Sequence, residues 1–329
     1  MRGVLWSAGL LLLAAALSLV VGARPIAPSV FLDLIRAGYD PANADHVALA
    51  LVRGPRIAAA VIAGGALGVA GTVLQAMTRN PLADPGLLGI NAGAAFALLG
   101  GTLLFGGMDQ ATASALTFPG AALAAAAVFL LAGGLHGGAG PMRMTLAGAA
   151  LNALLLSLVT GVVLIRQDAL DVMRFWVAGS LAQAHARPLA AMALAGAAGA
   201  VIALMIAPRI EALSLGDAMA RGLGAHPGWT QATALAAVAL TTGAAVAVAG
   251  PIAFLGLVVP PLARRLVGHR LRAELAVSLL LGAALLLASD TLGRLVLAPS
   301  EVRVGVMTAL IGGPVFLWIA RSVRPGEEA

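Results

Sequence analysis

Residues 57–77 read IAAAVIAGGALGVAGTVLQAM, and residues 79–89, which follow almost at once, read RNPLADPGLLG. The first run carries no charged residue and is long enough to cross a bilayer as one helix, since a span needs about 20 apolar residues. The second run contains two prolines and two glycines, which cannot continue a regular helix. The stretch therefore predicts a membrane-spanning helix that ends in a broken connection.

The rest of the chain repeats this pattern. Apolar residues make up 60% of the 329 residues and charged residues only 10%, whereas a soluble domain carries about 25% charged residues. We expect an all-α, polytopic membrane protein with about ten transmembrane helices in a single domain, residues 1–329. The apolar segments are approximately 4–22, 57–77, 88–104, 115–135, 144–165, 188–206, 230–250, 254–267, 275–288 and 304–320.

The N-terminal segment allows two interpretations. Arg2 followed by an apolar run from Leu5 to Val21 resembles a secretory signal peptide. The same run is long enough to span a membrane, and many further spans follow it. We expect it to be a retained first helix.

Two connections are longer than the others. Residues 23–56 form an outer segment with a short helix expected around Val30 to Arg36, and residues 207–229 form an inner segment that reads as a pair of amphipathic helices. An even number of spans puts both termini on one side, and a small excess of arginine places that side in the cytoplasm. The inner segment is either a docking surface for a partner or an interfacial helix on lipid headgroups.

Composition argues against several chemistries. The chain has no cysteine, and its five histidines are scattered, so we predict no metal site. All 20 Lys+Arg residues are arginine, and without lysine no phosphate-binding Walker loop can form. The arginines are dispersed between apolar runs, which disfavours nucleic acid as a partner and fits contact with membrane lipid. We predict no catalytic residue and no cofactor bound by this chain.

The broken stretch 79–89 also allows two interpretations. Irregular backbone at membrane depth occurs only where protein or a water-filled cavity satisfies its polar groups, so the stretch could form a constriction or gate. It could equally be an ordinary inner turn capped by Asn80 and Asp84.

Several ordered motifs closely resemble the FecCD family of importer permeases, which includes vitamin B12, haem and ferric-siderophore permeases. The resemblance runs through most of the chain. It is carried by the stretches 53–56 (RGPR), 75–94 around RNPLADPGLLG, 174–181 (RFWVAGSL), 213–224 (LSLGD through LG), 250–260 (GPIAFLGLVVP) and 288–294. The chain departs from the family pattern at Pro261, where a histidine is usual, and at Arg303, where a proline is usual.

The resemblance implies a complex in the cytoplasmic membrane. Its partners would be a second permease chain, most simply in a homodimer, two cytoplasmic ATPase subunits that bind ATP and Mg, and an outer substrate-binding protein. Arginines on the outer face would grip carboxylates of the binding protein. By motif these are Arg53, Arg56 and Arg294, and Arg303 adds a further positive charge. The alternative is that these arginines anchor helix ends at lipid headgroups.

The resemblance also assigns three other sets of residues. The cytoplasmic gate would comprise Asn80, Leu82, Pro141 and Met142. Met173 and Trp176 would line the substrate pathway, unless they are ordinary interfacial packing. The ATPase-coupling residues would be Leu213, Leu215, Gly216, Asp217, Met219, Arg221 and Leu223.

The transported solute is least constrained by the sequence. The RFWVAGSL segment is more similar to siderophore permeases, so we expect a ferric siderophore, with haem and then cobalamin as alternatives. An ion-coupled secondary transporter is the rival of another class. Such transporters need ionisable groups inside the membrane, and we expect no Asp, Glu, Arg or His in the middle of any span.

Overall fold

The computed structural model of the protein describes residues 2–22, 24–106, 108–134, 140–222 and 224–322. Throughout these residues the secondary structure is helical, with no strand. The helices are α1 (Arg2–Val20), α2 (Ser29–Ala37), α3 (Ala44–Val47), α4 (Gly54–Thr78), α5 (Ile90–Phe105), α6 (Gln110–Leu131), α7 (Pro141–Ile165), α8 (Gln167–Trp176), α9 (Leu189–Ser214), α10 (Asp217–Gly222), α11 (Pro227–Ala249), α12 (Leu255–Val267), α13 (Leu271–Val296) and α14 (Val304–Ser322).

Each of the ten predicted apolar segments coincides with one of these helices. Seven helices in the described part of the chain are long and apolar enough to cross a membrane, namely α1, α4, α6, α7, α9, α11 and α13. The helices α5 and α14 are apolar but shorter, and α12 has only 13 residues. The predicted all-α membrane fold is therefore confirmed.

Close backbone contacts explain why glycine is frequent in α4. A Cβ atom added at Gly64 would lie 2.4 Å from the carbonyl oxygen of Gly282 in α13, and one at Gly71 would lie 1.9 Å from that of Gly256 in α12. Only glycine fits such contacts, and small residues let helices associate where lipid supplies no hydrophobic drive. Of the seven spans, α4 and α11 are the most buried, whereas α1 and α7 remain mostly exposed.

Hydrogen bonds define two ends of the bundle. At one end, Arg56 in the first turn of α4 contacts Asp290 near the end of α13. We call this the α8 end, because α8 follows the last residue of α7 there. At the other end, Arg79, directly after α4, donates to the carbonyl oxygen of Leu213 near the end of α9. This is the α10 end.

The two long connections differ in how well they were predicted. The short helix expected in residues 23–56 is present as α2, and α3 continues through the π-helical turn Ala48–Arg53 into α4. The prediction of a separate helix pair in residues 207–229 is wrong, because α9 itself extends to Ser214 and only the short α10 follows before α11. Gly216 separates the two with a φ of +101°, a conformation that favours glycine.

One span also contains acidic residues that were not expected inside it. The sequence predicts a span at 275–288, whereas α13 carries Glu274 in its first turn and Asp290 near its end. Both carboxylates are buried, and each lies within 3.0 Å of an arginine nitrogen. Because a buried carboxylate is tolerated when it is paired, these residues extend the helix beyond the apolar run.

Candidate functional site

A cluster of buried arginines lies at the α8 end. Arg56 is held by two carboxylates at once: its Nη2 lies 3.0 Å from Asp290 Oδ1 and 2.7 Å from Glu301 Oε2. Its Nε and Nη1 donate to the same two carboxylates. Asp290 is 2% exposed, whereas the side chain of Glu301 is 36% exposed. The cluster therefore joins α4, α13 and the connection that leads to α14.

The other two arginines of this cluster bind the end of α1. Arg53 donates to the carbonyl oxygens of Leu19 and Arg24. Arg294 lies 3.3 Å from Asp290 and donates to Ser18 Oγ at 2.7 Å. Guanidinium groups near the last carbonyls of a helix stabilise that helix end.

The predicted exposure of these docking arginines is wrong. Arg53, Arg56 and Arg294 are only 7%, 5% and 4% exposed, because each is bonded within its own chain. Arg303 is half-buried, and its Nη1 donates to the carbonyl oxygen of Phe175. The docking role stays a prediction, but for the first three residues it lacks the free guanidinium group on which it depended.

A cavity of about 830 Å³ opens at the same end of the bundle. Its walls are the ends of α5, α6 and α11, the helix α8, residues from the 177–188 connection, and Arg303. Trp176, predicted to line the pathway, does line this cavity. Met173 is 5% exposed and packs instead against Leu98, Leu99 and Val159, so the structure supports ordinary packing for this residue.

The C-terminal end of α11 forms the inner wall of this cavity. The carbonyl oxygens of residues 246–249 each accept a hydrogen bond, from Gly250 N, Ser114 Oγ, Arg187 Nη1 and Ser180 N respectively. Burial lowers the pKa of the Arg187 guanidinium to about 10. The helix end is therefore capped, and one of its caps is a desolvated cation that lines the cavity.

The broken stretch lies at the α10 end. Asn80 Oδ1 accepts a hydrogen bond from Leu82 N at 2.9 Å, and Asp84 Oδ1 accepts one from Gly86 N at 2.7 Å before the 3-10 turn Pro85–Leu88. Burial raises the pKa of Asp84 to about 6. The two side chains cap their turns as the simpler interpretation of the sequence predicts.

All four predicted gate positions lie at this end. Asn80 and Leu82 are exposed, and Met142, in the first turn of α7, is 77% exposed. Pro141 begins α7, but its side chain lies outside the described part of the structure. The broken stretch and the first turn of α7 thus present exposed residues at one end of the bundle, which is compatible with a gate.

The predicted coupling residues divide into two faces. Leu213 is 4% exposed and packs against Ala220 and Ala225, so its expected place on the contact surface is wrong. Leu215 and Met219 are 65% and 59% exposed. Gly216 forms the turn between them, and Arg221 is exposed beside them. The side chain of Asp217 and the whole of Leu223 lie outside the described residues.

Arg79 connects the broken stretch to this surface. It adopts a left-handed conformation with φ +52° directly after α4, and its Nη2 donates to the carbonyl oxygen of Leu213. Asn80 is the residue after Arg79, and Leu215 lies two residues after Leu213. The contact therefore joins the predicted gate to the predicted coupling surface.

A second polar cluster supports the same end. Gln75 in α4 accepts a hydrogen bond from Arg264 in α12, and Arg264 Nε lies 2.8 Å from Glu274 in α13. Gln75 also donates to the carbonyl oxygen of Leu257 at 3.2 Å. Three helices are thus fastened around the start of the broken stretch.

Five residues of these clusters had no role predicted from the sequence, namely Arg79, Arg187, Arg264, Glu274 and Asp290. Arg79 lies within the RNPLADPGLLG stretch, and its place directly before Asn80 was a usable signal. Asp290 lies within the 288–294 stretch, which was a similar signal. Arg187 and Arg264 had none, because their partners Val248 and Gln75 are distant in the chain.

Known proteins of one family are similar to nearly the whole length of this chain. The model of the FecCD transport family matches residues 10–322. The chain is 43% identical over 318 residues to the ferric enterobactin transport system permease protein FepD of Escherichia coli (strain K12), covering 96% of this chain and 94% of that protein. Over 317 residues it is 38% identical to the iron(3+)-hydroxamate import system permease protein FhuB of Bacillus subtilis (strain 168), covering 96% and 82%.

Two further similarities concern haem and the fold. The chain is 40% identical over 276 residues to the hemin transport system permease protein HmuU of Yersinia pestis, covering 82% of this chain and 81% of that protein. Among solved structures it resembles an inward-facing conformation of a metal-chelate type ABC transporter, with a TM-score of 0.82 and 26% identity over 98% of this chain and 99% of that one.

Proposed function

The chain belongs to the FecCD transport family, and we propose that it is the permease of an importer that moves a ferric siderophore across the cytoplasmic membrane. It is a transport subunit of an ATP-binding cassette system and not an enzyme, since ATP is hydrolysed by separate subunits. We propose that ATP and Mg bind only to those subunits and that this chain holds no cofactor.

The choice of solute rests on the relatives. FepD and FhuB are named for ferric enterobactin and iron(3+)-hydroxamate, which supports a ferric siderophore. HmuU is named for hemin, so haem remains the second candidate, and cobalamin the third.

The contact from Arg79 to Leu213 is the single observation that carries the mechanism. Exposed apolar side chains such as Leu215 and Met219 suit burial against a partner protein. Movement of that surface would displace the end of α9, and Arg79 would transmit the displacement to Asn80 and the broken stretch. We propose that ATP-driven movement of the ATPase subunits opens the gate by this route.

The proposed orientation places the α10 end in the cytoplasm. The ATPase subunits are cytoplasmic, and the proposed coupling surface lies at this end. Gly3 at the start of α1 lies against Val267 at the end of α12, and α14 runs from the α8 end towards the same end. Both described terminal helices would therefore have their outer ends in the cytoplasm.

We propose that two copies of this chain form the pathway between them. The apolar surface of α7 supports this, because Leu154 and Leu164 are 57% and 81% exposed. The binding protein would dock at the α8 end through arginines that are exposed in the isolated chain, such as Arg36 and Arg174, and through Arg303. This assignment replaces the buried Arg53, Arg56 and Arg294 as the docking contacts.

Uptake in cells tests the proposed function. A strain lacking this chain should lose accumulation of radioactive iron supplied as a ferric siderophore and recover it when the chain is restored. Arsenate, which depletes ATP, should abolish uptake, whereas an uncoupler applied to cells that maintain their ATP should not. Uptake that follows the membrane potential at constant ATP would instead support the ion-coupled alternative.

A further inference from the structure

The cavity at the α8 end has the size and lining of a small-molecule site. Its volume of about 830 Å³ lies within the range of roughly 300–1,000 Å³ that ligand sites occupy. Phe175, Trp176, Val172, Leu98 and Met108 supply aromatic and apolar walls. Such walls suit an aromatic or otherwise apolar solute better than a small hydrated ion.

Arg187 is the charged group in the wall that its surroundings leave least satisfied. Its Nη1 donates to the carbonyl oxygen of Val248, and within the described parts of the chain its Nε is buried without a hydrogen-bond partner. A guanidinium group has five N–H donors, and no carboxylate is paired with this one among those residues. Capping α11 needs only one donor, so the cap does not explain why a buried cation is used here.

The remaining charges leave the cavity with a positive balance. Asp168 is neutralised by Arg166 at 2.8 Å, which holds the pKa of Asp168 at about 2. Arg303 stacks over Phe175 with its guanidinium carbon 4.7 Å from the ring centre. Asp171 is exposed on α8. Among the described lining residues, the single carboxylate of Asp171 therefore stands against the two cations Arg187 and Arg303.

We propose that this cavity binds an anionic, aromatic iron chelate and that Arg187 contacts the negatively charged oxygen atoms of the chelate. That the solute is an iron chelate rests on the proposed function. Ferric tris-catecholates fit this description, because three catecholate dianions around Fe³⁺ form a trianion with aromatic rings on its surface. A ferric tris-hydroxamate is neutral and offers no such charge.

The test measures binding to the permease directly. The full chain is placed in nanodiscs, and equilibrium binding of ⁵⁵Fe-labelled tris-catecholate and tris-hydroxamate chelates is measured at low and high salt. We expect R187Q to weaken binding of the catecholate at least about 10-fold, since a hydrogen bond to a charged group is lost. R187K should restore part of it, and D171N should strengthen it.

Two controls separate a local effect from misfolding. R24Q removes an exposed arginine at the same end but outside the cavity, and it should leave binding unchanged. R187Q replaces a desolvated cation that has no ion-pair partner among the described residues with a neutral amide, so the thermal unfolding temperature of R187Q should stay close to that of the wild-type chain.

The outcomes separate this inference from the proposed function. Equal catecholate binding by the wild type and R187Q, or wild-type preference for the neutral chelate, overturns the site even if the complex imports iron. Catecholate binding that depends on Arg187, without import by the assembled complex, supports the site and overturns the proposed function. Binding of neither chelate overturns the site.

Discussion

Asp290 and Glu301 bind the same arginine, yet the structure predicts very different costs for removing their charges. D290N would leave Arg56 and Arg294, whose side chains are 7% and 5% exposed, without their shared buried carboxylate. Breaking a buried ion pair from one side costs about 3–5 kcal/mol. E301Q removes a carboxylate that is 36% exposed, and pairs open to solvent contribute about 0–1 kcal/mol.

Equilibrium unfolding of the purified chain in mixed detergent micelles, titrated with SDS, can measure this difference. We expect D290N to reduce the free energy of unfolding by about 3 kcal/mol more than E301Q does. The matched surface control is R166Q, which breaks an exposed pair and should cost less than about 1 kcal/mol. If D290N and E301Q are equally stable, the buried arginine cluster does not hold the α8 end together.

The remaining predictions concern the α10 end. R79N should reduce transport severalfold while ATP hydrolysis by the assembled complex continues, because asparagine tolerates the left-handed backbone but is too short to reach Leu213. Unchanged transport per ATP rules out the link between Arg79 and Leu213. L215D combined with M219D should leave membrane insertion intact but lower co-purification of the ATPase subunits more than about 10-fold, because charge enters an apolar contact; wild-type yield contradicts that contact. N80C or L82C should form crosslinks between two copies that change with nucleotide, without background because the chain has no cysteine; crosslinking that is equal in all states argues against a gate.

The sequence predicted the helices well because each span is a local signal. An apolar run of sufficient length must be helical in lipid, where its backbone has no other hydrogen-bond partners. The broken stretch at 79–89 was recognised for the same reason, since proline and glycine act locally. The end of α9 was misjudged because residues 207–214 look amphipathic in isolation, while Leu213 is in fact buried by contacts with Ala220 and Ala225.

Burial of charge was not predictable in the same way. Arg56 and Arg294 were assigned by motif to the outer face, either as contacts for carboxylates of a binding protein or as anchors at lipid headgroups, and both roles need a free guanidinium group. Their partners are far away in the chain: Arg56 contacts Asp290, and Arg294 contacts Ser18 in the first helix. No periodicity links these positions, so only the packed structure shows that the charges are satisfied internally.

Iron-chelate uptake into proteoliposomes tests the central claim most directly. The permease is reconstituted with its ATPase subunits, ATP is sealed on the side of the α10 end, and the binding protein loaded with a ⁵⁵Fe-labelled chelate is added on the other side. We expect accumulation that requires enclosed ATP and active ATPase subunits, and that persists when ion gradients are collapsed. Accumulation driven by a proton or sodium gradient without ATP, or no accumulation of any ferric chelate or haem with ATP present, would contradict it.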